Sequence, residues 1–476
     1  MTAHPHSPEQ LRERYGDKHR WLVLLTVMLG TMASIMASTI VNVAVPAMSH
    51  QFALGQERAQ WLSAGFMAAM TISMLLTPWL LDRFGFRRTY AAAVLILMLG
   101  GIGGGFGWRF DWVLAMRVVE GLAAGVLQPI PAILIMQTFS RGQQGRAMGV
   151  FGFGVVLAPA IGPSIGGVLV DVFGWRSIFF VVVPFCIVAL ELARRYLPHS
   201  SPSGAVNHQP RRIDLPGLML LTVAVLTGLN GLVHLHDESK LLALGLLVSS
   251  AMATTAFIIH QRRTPHPLMQ LSLFTVRQFS WGGAVAFIYG MALFGSTYLV
   301  PVFMQIALKL PPTQAGAVLL PAGIVLALTI PVAGRLSDSI AVHVLVAAGV
   351  LCLAASFWLM VTVGVGTALW IITLWAVVGR IGLGVVLPSL NLGTVRVLPD
   401  KLVSYGASSI NFLRQLGGAV GVSVVGIVLE WRLRVHADDP VQAFHETFAL
   451  LGLTCSVAVF AAWRMQPAPV AASASA

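Results

Sequence analysis

Arg117 and Glu120 stand three residues apart in AMRVVEGLAAG, residues 115 to 125, within a run that is otherwise uncharged and largely apolar from Trp112 to Ile135. That spacing puts both on one helix face, where they can pair. In general, burial holds a carboxyl neutral and a neighbouring guanidinium holds it charged, so moving the two apart switches proton affinity. The pair is therefore read as proton-coupling chemistry, with a structural ion pair between helices as the alternative. Two further arginines, Arg380 and Arg414, also sit in apolar stretches but have no acid on their own helices. Arg414 lies in NFLRQLGG, where reach to Glu120, to carbonyls or to substrate competes with a helix-packing hydrogen bond to Asn411 or Gln415. Three arginines against one carboxylate leave the interior net positive, which favours neutral or anionic amphiphiles over lipophilic cations.

The elements that position these groups must suit lipid. The chain has 476 residues, 57% hydrophobic and 10% charged, with mean hydropathy +0.81, far from the quarter-charged make-up of soluble domains. Its 47 glycines and 25 prolines fit membrane helices. The net charge of +12 is distributed as for a cytoplasmic membrane face, not as a nucleic-acid surface. Cys186, Cys352 and Cys455 lie in apolar stretches with no close partner, so free thiols are expected. At about 20 apolar residues per crossing, fourteen transmembrane helices are predicted. Their limits are 21–46, 59–81, 89–107, 112–138, 147–170, 177–194, 214–234, 241–260, 279–307, 314–336, 342–363, 366–395, 402–430 and 447–464. The first is too long for the core of a cleaved signal peptide and is expected to stay as a helix.

With the N-terminus cytoplasmic, the inner segments hold twenty Lys and Arg and the outer segments seven, which supports an even number of spans with both termini cytoplasmic. Polar linkers at 195–213 and 261–278 divide the chain as 6+2+6: a cytoplasmic tail (1–20), a six-helix bundle (21–195), a linker region with two extra helices (196–278), a second six-helix bundle (279–464) and a disordered tail (465–476). PWLLDRFGFRR at 78–88 and GRLSDSIAVH at 334–343 follow equivalent spans, and Arg117 and Arg380 each precede a glycine by four residues. Paired halves of this kind suggest a transporter made of parallel repeats with its site between them.

Other stretches have specific readings. In LDRFGFRR, Gly85 is suited to a positive φ, while Asp82, Arg83, Arg87 and Arg88 can bond between helix ends as a gating latch or serve as a positive-inside anchor. Arg335 and Asp338 are what remains of that pattern in the second copy, where a weaker latch is expected. Pro159, Gly162, Pro163, Gly166 and Gly167 predict a bent, closely packed helix. Met28, Met32 and Met36, with Met67, Met70 and Met74, form stripes at helical spacing; packing is favoured over substrate contact, although Met36 and Met67 are kept as cavity candidates. Asn42 either lines the cavity or joins helices. His234 and His236 are read as interfacial rather than metal-binding. GIGGGFG at 101–107 ends a span and lacks the strand, helix and lysine of a phosphate cradle. No cofactor, no metal site and no enzymatic activity are expected.

STIVNVAVP at 38–46, LLDRFGFRR at 80–88, RVVEGLAAG at 117–125 and APAIGPSIGG at 158–167 give the chain its resemblance to the major facilitator superfamily, specifically to the fourteen-span drug:proton antiporters of the EmrB/QacA type. The resemblance implies an all-α major facilitator fold in a bacterial inner membrane, and export by alternating access. It also implies that APAIGPSIGG marks an exporter. Three positions depart from the family pattern: Ala37 replaces an expected aspartate in the first helix, Glu120 stands where glutamine is common, and Pro78 where glycine is usual. The expected activity is proton-coupled export of small hydrophobic or amphiphilic molecules by a monomer, with a periplasmic adaptor and outer-membrane channel as partners known for some relatives. Alternatives are a lipid or metabolite exporter, a facilitator without proton coupling, and a non-transporting receptor or scaffold.

Overall fold

A computed structural model describes residues 13, 15–54, 56–202, 212–236 and 240–466; the side chains of 56, 57, 160, 161, 163, 164, 236, 312 and 313 lie outside the described set. Among the described residues the elements are helices, as lipid requires of segments that must satisfy their own backbone hydrogen bonds, with one isolated bridge position at Ser201. The first part contains α1 (Lys18–Gln51), α2 (Gln56–Ser73), α3 (Thr77–Gly105), α4 (Phe110–Leu127), α5 (Ile130–Thr138), α6 (Gln144–Phe173), α7 (Ser177–Phe180) and α8 (Val182–Tyr196). Next come α9 (Leu215–Val233) and α10 (Lys240–Arg263). The remainder consists of α11 (Arg277–Ile306), α12 (Pro312–Leu336), α13 (Val342–Met360), α14 (Leu369–Val395), α15 (Val403–Val435) and α16 (Pro440–Trp463).

Among the described residues twelve segments are long and apolar enough to cross a membrane, against the fourteen expected. The difference falls at two places. Arg58–Gly105 counts as one segment of 48 residues, although about 72 Å of helix far exceeds a hydrocarbon layer of about 30 Å. Its helix is interrupted at Gly85, with φ 77 and ψ 172. The other place is α6, a helix of 30 residues that is not among the twelve. The expected 6+2+6 grouping is likewise not what this count gives.

Residue contacts divide the chain into two units, Met1–Gln270 with Pro399–Phe412, and Leu271–Leu398 with Leu413–Ala476. In the first, α4 packs against α2 and α3, and α1 packs against α6 and α8. Helices α9 and α10 pack chiefly on each other, and many of their large apolar side chains, such as Leu241 and Met252, are exposed in the manner of a lipid-facing surface. Asp214 caps α9, accepting from the Gly217 amide (2.9 Å) and from Gln261 Nε2 (2.7 Å), and its Oδ1 lies 2.7 Å from His260 Nε2. Burial pushes its carboxyl up, but the bonds from His260, Gly217 and Gln261 outweigh this and hold it below the usual carboxylate range. In the second unit, α13 packs against α14 and α16, and α12 against α14. Residues 1–12 and 467–476 of the predicted tails, 203–211 of the first predicted linker, and the His236 side chain lie outside the described residues.

Candidate functional site

In α4 the sequence places Arg117 and Glu120 one helical turn apart, and both side chains are buried, at 0% and 2% exposure. Arg117 Nη1 donates to Glu120 Oε2 at 2.7 Å and to the Ala37 carbonyl of α1 at 3.0 Å, and Nε donates to the Leu62 carbonyl of α2 at 3.2 Å. The guanidinium lies 4.2 Å from the ring centre of Phe66, whose face attracts a cation. Nη2 is buried without a hydrogen-bond partner. Glu120 rests on α3: a Cβ at Gly100 would come within 2.7 Å of Glu120 Cγ, and one at Gly101 within 3.2 Å of Glu120 Oε1. Four helices thus meet at one ion pair. At Ala37, where the family resemblance leads one to expect an acid, Arg117 takes the backbone carbonyl instead and finds its carboxylate within its own helix.

The glycine run read as a mere span end has a packing role. Gly100 and Gly101 make room for Glu120, and Gly104 and Gly105 make room for Phe179 and Phe180. Gly121 and Gly125 bring α4 against the backbone of α2 at Phe66 and Met70, which fixes the height of Arg117. Sequence reasoning missed Phe66, Leu62 and this glycine cradle. The GLAAG spacing of Gly121 and Gly125 was the available signal for the close approach.

The other predicted residues are spread over both units. Ser63 donates to Asn42 Oδ1 at 2.6 Å, and Asn42 is exposed. Met36 is 2% exposed and faces Gly162, a packing position, while Met67 is half-buried on α2. Asn411 donates to the Ala407 carbonyl at 2.9 Å. In the second unit, the Arg414 carbonyl lies so near Gly290 that a Cβ there would collide with it, and Arg380 lines a small cavity.

Around Gly85, Phe86 N donates to the Ser200 carbonyl at 3.0 Å, and Arg87 Nη1 lies 2.9 Å from His199 Nε2. The loop is thereby tied to the segment that follows α8. Asp82 is buried, Arg83 half-buried and Arg88 exposed. In the second copy Asp338 lies 3.7 Å from Arg396, a residue not singled out from sequence, whereas Arg335 is exposed. Helix α6 is continuous through Pro159 rather than interrupted. Its Gly154, Gly162 and Gly166 face Met28, Thr39 and Ile40 of α1, whereas Gly167 has open space; the Pro163 side chain lies outside the described residues. Cys186, Cys352 and Cys455 are free thiols.

An all-helical chain with many apolar spans, built around one buried ion pair, defines a multi-pass membrane protein of the transporter class. The sequence profile of the Major Facilitator Superfamily matches residues 27–422, and the chain belongs to that family. It is 28% identical over 415 residues to the tetracenomycin C resistance and export protein of Streptomyces glaucescens, covering 87% of this chain and 76% of that one. The multidrug resistance protein B homolog of Mycobacterium tuberculosis is 28% identical over 437 residues, with 89% and 79% covered. Lincomycin resistance protein LmrB of Listeria monocytogenes is 29% identical over 417 residues, with 86% of each covered. Among solved structures, the proton:xylose symporter XylE bound to 6-bromo-6-deoxy-D-glucose matches with TM-score 0.66 at 14% identity, over 92% of this chain and 95% of that one. The human organic anion transporter MFSD10 matches with TM-score 0.65 at 16% identity, over 92% and 99%. These two likenesses concern the fold alone.

Proposed function

We propose that the chain is a proton-coupled exporter of hydrophobic or amphiphilic small molecules, acting by alternating access in a bacterial inner membrane as a monomer. The observation that carries this reading is the Arg117–Glu120 pair, sealed from solvent inside the first unit. A carboxylate in such a place takes up a proton when its guanidinium moves away, and exchanges it when water reaches the site. A conformational cycle that opens the site therefore loads and unloads Glu120. Relatives named for antibiotic resistance and export support the direction of transport. Fourteen crossings, arranged 6+2+6 with both ends cytoplasmic, belong to the same proposal: Gly85 divides one long segment in two, and α6 is long enough for a crossing. Residues Asp82, Arg83, Arg87 and Arg88 act as a latch at the cytoplasmic end, and Asp338 with Arg396 as its weaker counterpart.

The decisive measurement is efflux from proteoliposomes with and without an imposed pH gradient. Glu120→Gln keeps the size and the hydrogen-bonding capacity but cannot carry the proton. It is expected to abolish the response to the gradient while leaving slow, gradient-independent exchange. Gradient-driven efflux at the wild-type rate from Glu120→Gln would show that coupling lies elsewhere, whereas a wild type indifferent to the gradient would be a facilitator.

A further inference from the structure

Arg380 occupies the middle of α14 and lines a small cavity with Ser296, Ser356, Leu319, Phe357 and Met360, all within the second unit. It is half-buried, and among the described residues it makes no hydrogen bond and no ion pair. Helices α11, α12, α13 and α14 themselves contain no Asp or Glu, and Asp338, in the turn after α12, is paired with Arg396. An ionised side chain in the middle of a span is rarely left without a partner, because an unneutralised charge there is costly. The neighbouring hydroxyls carry no counter-charge, and none has a hydrogen free for an incoming anion. Ser356 Oγ donates to the Trp375 carbonyl at 2.8 Å, Ser296 Oγ to the Leu293 carbonyl at 3.1 Å, and the buried Tyr289 hydroxyl to the Leu383 carbonyl at 3.1 Å. Each hydroxyl hydrogen is already committed to backbone. The guanidinium is thus left as the free donor, and its fork of N–H groups matches a planar, two-oxygen acceptor. The free space is about that of a single water molecule, room for one carboxylate oxygen and not for a ring system, while the half-buried guanidinium leaves the second oxygen to bind at its exposed edge; the other walls are apolar.

We propose that Arg380 and this cavity form the headgroup subsite for an organic carboxylate, so that the cargo is an anionic amphiphile. This rests on the transport reading above, whose substrate class it names. The carboxylate supplies the missing counter-charge and both acceptors, and the apolar remainder of the cargo lies outside the cavity. A cation gains nothing at this position. An uncharged isostere keeps its apolar contacts but loses the charge-assisted pair of hydrogen bonds.

The test uses the full chain in nanodiscs without a pH gradient, with binding read by fluorescence of naphthalene-2-carboxylate and of the uncharged naphthalene-2-carboxamide. The carboxylate is expected to bind about tenfold or more tighter than the carboxamide, as charge-assisted hydrogen bonds imply. In Arg380→Gln the ratio should fall to near one, and in Arg380→Lys, which keeps the charge but not the fork, it should lie between. The unfolding temperature of each variant separates lost recognition from a lost fold. Equal binding of the two probes by wild type, an unchanged ratio in a folded Arg380→Gln, or displacement of the carboxylate by millimolar chloride, which would make this an inorganic-anion site, overturns the proposal. Repeating the measurement in Glu120→Gln keeps the two readings apart. If that variant retains gradient-driven efflux, the coupling reading fails; the anion preference stands or falls with Arg380 alone.

Discussion

Arg117 shows how a single residue becomes fixed in lipid: one carboxylate, two backbone carbonyls and one aromatic face meet it from three helices. Removing one partner of a buried ion pair leaves an uncompensated charge and costs about 3–5 kcal/mol, whereas replacing both with apolar groups of similar volume is often neutral. Glu120→Ala is therefore expected to lower the unfolding temperature sharply. The double variant Arg117→Met/Glu120→Met should recover most of that loss, with no recovery of gradient-driven efflux. Thermal unfolding in detergent, followed alongside efflux in proteoliposomes, checks both halves. If the double variant were as unstable as the single, the pair would have to be a structural anchor whose geometry no apolar substitute reproduces. The residues on this scale that were legible from sequence were the charges, because a charge in an apolar run is conspicuous. Their uncharged partners were not. A backbone carbonyl has no sequence signature, and Phe66 looks like any other apolar residue of a span.

At the scale of helices, close approach depends on glycine at particular positions. A Cβ at Gly125 would run into the Met70 carbonyl and Ser73 Oγ of α2, both well inside contact distance, while a Cβ at Gly245 of α10 meets nothing within 4 Å. Gly125→Val is therefore expected to prevent α4 from seating on α2 and to reduce the yield of folded protein several-fold. Gly245→Val should leave the yield unchanged. Size-exclusion chromatography of solubilised membranes measures this, and equal yields of monodisperse protein from the two variants would remove α2–α4 packing as the support of the Arg117 site. Span positions were largely legible because a crossing needs a fixed length of apolar chain. Helix α6 runs through Pro159 without a break. A membrane helix absorbs proline when its neighbours or local adjustments satisfy the freed carbonyl, and sequence does not show those neighbours. The pairing of Asp338 with Arg396 was equally hidden. The two are 58 residues apart, and only the folded packing of α12 and α14 brings them together.

For the whole molecule, the number of crossings decides which loops face which side, and it turns on Gly85 and α6. With a break at Gly85, Arg88 begins a new crossing from the side on which Asp82 ends the previous one, and Arg109 lies across the membrane from both. With no break, the 48-residue segment is a single crossing and Arg109 lies opposite Arg58. The difference is accessible to single cysteines in a background lacking Cys186, Cys352 and Cys455. Placed at Arg58, Arg109, Arg176 or Lys309, a cysteine should react with a membrane-impermeant maleimide in intact cells; placed at Arg88, Arg141 or Arg262, it should react only after the cells are opened. The excess of basic residues on the expected inner segments predicts the same sides independently. Arg58 and Arg109 on the same face, with Arg88 protected, requires two crossings between them. Arg109 and Arg176 on the same face requires an even number in the interval that contains α4 and α6, hence α6 as a crossing. Labelling of Arg58 but not Arg109 from outside would instead make Arg58–Gly105 one continuous passage, and the proposed fourteen-span arrangement with both ends inside would fail.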